Sequence, residues 1–260
     1  MTHASDKWPA AILVALWAVI ILTTVITAQR GRKYFIRRIP GLNAIDEAVG
    51  RATEMGRPIL MVPGLNDIGV VALQALSICS YIIRTAAQFG NKILVTCAYP
   101  AVYTVAEDVV RDTYISVGKP EQFDPDSVRF ISDRQFAFAS GVAGLIYREK
   151  VAASFMFGDF YAESLIFAET GQQVGAIQVA GTTQTTQIPF FIAACDYTII
   201  GDEFYAASAY ISREPTLLGS LVGQDICKGI ILIAAIVGTI CLSIPALGPS
   251  SAFVQWFTLK

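Results

Sequence analysis

Twenty-one consecutive residues, Trp8 to Ala28, carry no charged side chain. As a helix, such a run reaches roughly 30 Å, the thickness of a bilayer's hydrocarbon core. A cleaved signal peptide would have a shorter apolar stretch, a basic flank before it and a small-x-small site behind it. Here the basic flank follows the run, and Ile26-Thr27-Ala28 is a poor cleavage sequence. The run therefore reads as an anchor. A second uncharged run, Gly229 to Leu247, lies between Lys228 and Gly248-Pro249. Pro245 is tolerable near its end, where a helix loses little with one hydrogen bond. Phe253, Trp256 and Phe257 beyond it suit a membrane–water interface. Two transmembrane spans are expected, 8–28 and 229–247. They divide the chain into an anchor with a basic stem (1–38), a central body (39–227), and a second span with an interfacial tail (228–260).

Charge sets the expected orientation. Residues 1–38 hold six basic side chains against one acid, whereas 39–227 hold eleven against twenty. Arg30, Arg32, Lys33, Arg37 and Arg38 follow the first run and Lys228 precedes the second, so the body's side is the cytoplasmic one. The expected location is the cell (inner) membrane, with both termini on the opposite face. Anionic lipid headgroups would meet the five basic residues of the stem. An acidic body repels phosphate backbones, so no nucleic acid is expected as a partner.

Five cysteines (Cys79, Cys97, Cys195, Cys227, Cys241) at wide, irregular spacings suggest buried, reduced thiols, with neither a disulfide framework nor a zinc site.

The body alternates short apolar runs with helical patterns. Strands are expected at 59–62, 92–97, 128–131, 151–157, 176–180 and 197–200. Helices are expected at 43–55, 70–89, 102–117, 132–147, 160–173, 188–195 and 202–212. Gly90 reads as a C-cap, and Ser132 with Gln135 as a capping box. Continuous apolar strands between helices argue for an α/β fold: a single Rossmann-like layered domain with a mostly parallel sheet, flanked by the two transmembrane helices.

The stretches GKPEQFDPDSVRFISDRQ and REKVAASFMFGDFYAESLIFAETGQQVGAIQVAGTTQTTQIPFFIAACDYTIIGDEFYAASAYISREP resemble a family of prokaryotic membrane-anchored proteins described only as a domain of unknown function. The similarity runs from about Pro40 past Lys228. It implies a shared fold and membrane attachment, and supplies no activity and no site residues.

Chemistry is sparse. The only histidine is His3, across the membrane from the body in this orientation, so a Ser-His-Asp or Cys-His mechanism lacks its base. No oxyanion-hole motif accompanies Ser154 or Ser164 with Lys150. No catalytic residue, metal site or cofactor is expected, and an enzyme is the less favoured reading. The loop Pro63-Gly64-Leu65-Asn66-Asp67-Ile68-Gly69 joins a strand to a helix, yet matches neither phosphate-binding fingerprint. In a parallel sheet Asn66, Asp67, Tyr99, Asp159, Thr182 and Thr183 all follow carboxyl ends of strands, the edge where ligands gather. They are the candidate ligand-binding residues. The run Thr182 to Gln187 either cradles a ligand or caps the next helix and satisfies loop backbone.

Two functions remain. The first is a structural, scaffolding protein whose cytoplasmic domain self-assembles into a homo-oligomer of more than two copies. It rests on helices apolar on more than one face, around Phe136 and Phe160, and on small-residue pairs in the spans, Ala11 with Ala15 and Ala234 with Gly238. The second is a membrane-bound enzyme or small-ligand or nucleotide sensor using the strand-end crevice.

Overall fold

The computed structural model describes residues 8–32, 34 and 39–243. His3, Lys33, Arg37, Arg38, Pro245 and the aromatic tail residues Phe253, Trp256 and Phe257 lie outside the described residues. The chain divides into two compact units. Residues 37–212 make one, and the segments before and after them make the other.

In the larger unit six parallel strands form one sheet in the order β3-β2-β1-β4-β5-β6. The strands are β1 (Ile59–Val62), β2 (Ile93–Cys97), β3 (Val128–Phe130), β4 (Ala153–Phe157), β5 (Ile177–Thr182) and β6 (Tyr197–Ile200). β1, β2 and β4 are buried along their whole length, as continuous apolar strands covered on both faces must be. The helices are α2 (Pro40–Met55), α3 (Val70–Phe89), α4 (Pro100–Ser116), α5 (Gln135–Glu149), α6 (Glu163–Gln173), α7 (Ile188–Ala194) and α8 (Glu203–Ser212), after α1 (Trp8–Gln29) of the other unit.

Alternate strand positions feed two cores. Ile59, Met61, Val95, Phe155 and Phe157 meet α2, α3, α4 and α8 on one face. Leu60, Val62, Leu94, Met156 and Ala180 meet α5, α6 and α7 on the other. The first crossovers, through α3 and α4, build outward from β1 to β3. The chain then returns through α5 to place β4 on the other side of β1. The carboxyl ends of β1 and β4 therefore flank a topological switch point.

The expected strands and helices are all present, with instructive shifts. α2 and α4 begin three and two residues earlier than periodicity indicated, because Pro40 and Pro100 stand at N1, where proline's fixed φ starts a helix. α6 begins three residues later. The expected capping box is absent: the N-cap of α5 is Arg134, without a side-chain cap. Ser132 Oγ instead accepts the Arg134 N–H at 3.1 Å in the preceding turn. β5 runs two residues further, so Gly181 and Thr182 pair with Ile199 and Ile200 inside the sheet.

The smaller unit is an antiparallel pair, α1 against α9 (Pro215–Ser243). Gly219 and Gly223 let the backbones approach: a Cβ on Gly219 would lie 2.6 Å from Val25 Cα, and one on Gly223 2.6 Å from Thr24 Oγ1. The small-residue contact within the chain is thus made at Gly219 and Gly223, while Ala11 and Ala15 are exposed. The apolar run expected from Gly229 is the second part of this longer helix, which begins at Pro215.

Three helices among the described residues are long and apolar enough to cross a membrane: Ala10–Gln29, Val70–Phe89 and Pro215–Ile240. The middle one is α3, more than half of which is buried. Cys79, Cys97, Cys195 and Cys227 are free thiols. Burial pushes Cys97 and Cys195 up to about 12, and Cys79 higher still.

Candidate functional site

The β1–α3 and β4–α6 loops are joined at the switch point. Gly64 (φ 86°) turns the chain out of β1, and Gly158 (φ 144°) turns it out of β4. A Cβ on Gly158 would come within 2.1 Å of the Pro63 carbonyl oxygen, so only glycine fits. The Leu65 N–H donates to the Asp159 carbonyl at 2.8 Å. Asn66 Oδ1 accepts the Asp159 N–H at 2.9 Å.

Beside this seam lies a cleft of about 320 Å³, lined by residues 65–67 and 69–72, Asp159 and Tyr161. Gly69 is the N-cap of α3 and provides no side-chain cap. The first N–H groups of a 20-residue helix therefore border the cleft. Asp67 Oδ1 accepts the Ile68 N–H at 2.7 Å within its own turn. Asn66 Nδ2 is buried without a hydrogen-bond partner.

The structure thus brings Asn66, Asp67 and Asp159 to one cleft, with Thr183 bonded to Asp159 behind it. Thr183 Oγ1 donates to Asp159 Oδ1 at 2.9 Å, and Gln184 Nε2 reaches the same oxygen at 3.2 Å. Two of the expected residues are elsewhere. Thr182 is fully buried in β5, where its hydroxyl accepts the Gln184 N–H, because the strand extends through it. Tyr99 starts α4 after β2, half-buried against both cores and apart from the cleft lining.

The Thr/Gln run acts mainly as a tie between loops. Gln187 occupies the N-cap position of α7 without capping it. Its Oε1 instead accepts the Ser164 hydroxyl at 2.8 Å. Ser154 is fully buried in β4, so neither serine offers an accessible nucleophile.

Glu163 and Tyr205 were not legible as site residues. Glu163 is fully buried at the start of α6. Its Oε1 accepts the Tyr161 N–H at 2.8 Å, and Oε2 accepts from Gln135 Nε2 at 2.6 Å. The available signal was an acid after β4 in so apolar a stretch, at the helix start that favours negative charge. The Tyr205 phenol is held above its usual 10.0, first by burial and then by the Asp159 charge, while its hydrogen bond with Thr183 works the other way. Tyr205 thus joins the Asp159–Thr183 network from α8, 22 residues after Thr183 in sequence.

No group of three or more His, Cys, Asp or Glu side chains suited to a metal ion exists among the described residues. The cleft offers hydrogen-bonding groups, with the Asp67 and Asp159 carboxylates as acceptors and the Asn66 amide as donor.

A family model described as Domain of unknown function (DUF6754) matches residues 2–253, nearly the whole chain. The chain belongs to this family. The DUF6754 match spans the α/β unit and the described helices α1 and α9 alike. No curated protein and no solved structure gives a match to the chain.

Proposed function

We propose that the protein is a membrane-anchored receptor whose Rossmann-like α/β domain binds a small polar ligand in the crevice between β1 and β4. The observation that carries this reading is the cleft at the switch point, bordered by the uncapped start of α3 and by Asn66, Asp67 and Asp159. Two carboxylates oppose a free phosphate. The favoured ligand is an uncharged molecule bearing hydroxyl or amine groups, with an apolar part against Val70 and Val71. α1 and α9 are the two spans. α3 is as long, but it is spent on the sheet. The domain is cytoplasmic at the cell (inner) membrane, with the stem's Arg30, Arg32, Lys33, Arg37 and Arg38 against anionic headgroups. Thermal melts of the full-length protein in detergent, with nucleosides, nucleotides, polyols and sugars at millimolar concentration, test the ligand reading. A rise in melting temperature with an uncharged polyhydroxy compound, lost in Asn66→Ala and kept in Thr186→Ala, supports it. No shift with any of these classes rejects it.

A second reading, a scaffold of more than two copies assembled through the α/β domain, is favoured by a separate observation. Phe136 on α5 and Ile192 on α7, on the same side of the sheet, are 65% and 56% exposed, and Phe190 on α7 is exposed as well. Particle mass in a mild detergent tests it: Phe136→Glu with Ile192→Glu should lower a multimeric mass, and a wild-type monomer rejects it.

A further inference from the structure

A second cavity, of about 400 Å³, lies at the edge of the sheet opposite the switch point, where β2 and β3 begin. Its walls are the chain leaving α3, the last turn of α4 at Tyr114, and two short helical turns, Pro120–Gln122 and Pro125–Ser127. Proline opens both turns and fixes their backbone, which sets Gln122, Asp124 and Ser127 along the cavity. A volume of this size admits a small molecule.

The lining carries hydrogen-bonding capacity that the fold leaves unused. Ser127 is 5% exposed and its hydroxyl has no hydrogen-bond partner, although its N–H donates to the Asp124 carbonyl at 2.9 Å. A shielded hydroxyl left unpaired is costly, and such a group needs a reason. Asp124 Oδ1 accepts the Asp126 N–H at 3.0 Å within the turn. Among the described residues the Asp124 carboxylate has no basic partner. Lys92, the cation of the lining, is instead 3.4 Å from Glu149 Oε2. The buried Tyr114 phenol is held above its usual 10.0, first by burial and then by the Asp124 charge.

We propose that this cavity binds a small primary amine in its protonated form, with the carbon body against Tyr114 and Ile93. An ammonium has three N–H donors, and the lining offers three acceptors: the Asp124 carboxylate, the Ser127 hydroxyl and the Gln122 amide carbonyl. The surroundings select a cation as well. α3 and α4 both end here, so the negative ends of two helices point to this edge. The chain itself sets an ammonium against one of them: Lys119 Nζ donates to the Ala87 and Gln88 carbonyls at 2.8 and 3.1 Å. A phosphate or carboxylate would meet Asp124 with like charge. A divalent metal takes six or more oxygen ligands, several of them carboxylates, and Asp124 is the one acid of the lining. The site shares no residue with the β1–β4 cleft and does not depend on a ligand there.

The test is calorimetric titration of the full-length protein in detergent with tyramine and putrescine, and with their uncharged counterparts tyrosol and butanediol. The amines should bind about tenfold more tightly than the alcohols. Asp124→Asn should weaken amine binding by about tenfold or more, and Ser127→Ala by about fivefold. Glu121→Gln removes an acid of the same loop outside the lining, and should change the affinity by less than about twofold. Unliganded Ser127→Ala loses only a hydroxyl without a partner, so its melting temperature should match the wild type and weaker binding is then not unfolding. No binding of either amine, alcohols that bind as tightly, or an Asp124→Asn or Ser127→Ala variant with wild-type affinity would each overturn the proposal. An equal loss in Glu121→Gln, or a destabilised Ser127→Ala, would overturn it too.

Discussion

Asn66 Oδ1 accepts the backbone N–H of Asp159 at 2.9 Å, joining loops that lie 93 residues apart in sequence. This bond holds the carboxyl ends of β1 and β4 together and aims the Asp159 side chain at Thr183 and Gln184. Asn66→Ala should cost about 1–3 kcal/mol, the penalty for leaving a shielded N–H unpaired. Denaturant unfolding of the detergent-solubilised protein measures it. A variant as stable as wild type would mean that the seam holds without this bond.

Gly158 is the tightest point of the same seam. Gly158→Ala brings a Cβ to within 2.1 Å of the Pro63 carbonyl oxygen at a φ of 144°. Strain of about 3 kcal/mol or more is expected. Gly175→Ala is the control, since a Cβ there meets nothing within 4 Å although its φ is also positive. Comparison of the two melting temperatures separates the close approach from conformational preference.

Glu163 makes two hydrogen bonds from a fully buried position. Glu163→Ala leaves the Tyr161 N–H and the Gln135 amide without their acceptor, at a cost of about 2–4 kcal/mol. Glu163→Gln keeps one carbonyl oxygen and should lose about half as much. Equal losses in the two variants would show that charge, not acceptor count, is what the site uses.

Stability should fall in alkali through the buried thiols. Burial pushes Cys97 from 9.0 up to about 12, so the unfolded chain gives up that proton first. The contribution is complete below about pH 9 and is lost as pH rises from about 9 to 12. The expected slope is about 1.4 kcal/mol per pH unit for this group. Cys97→Ala should flatten the unfolding free energy across that window, measured by urea titration at each pH. An unchanged slope would assign the alkaline loss to other groups.

Gly219 and Gly223 should decide whether α1 and α9 stay paired. Leucine at both positions cannot fit against Val25 and Thr24. A cross-link between cysteines placed at Gln29 and Thr216 should form in the parent chain and fail in Gly219→Leu/Gly223→Leu.

Local sequence alone determined the element order, since each strand is an apolar run ended by glycine, proline or a polar turn, and each helix carries its own periodicity. It also determined the α/β class, because uninterrupted apolar strands such as Ile59–Val62 need cover on both faces. The two uncharged runs were legible for the same local reason. Tertiary structure decided the strand order, and with it which strand ends share a crevice: Asn66 and Asp159 meet only because β4 returns to the side of β1. Extending β5 by two residues withdrew Thr182 into the sheet, and Tyr205 reached Thr183 through the packing of α8. The pairing of α1 with α9 likewise rests on two glycines meeting α1 from across the chain. Hydrophobic periodicity records which face of an element is buried. It does not record which distant element covers that face, and every contact in the cleft depends on the second.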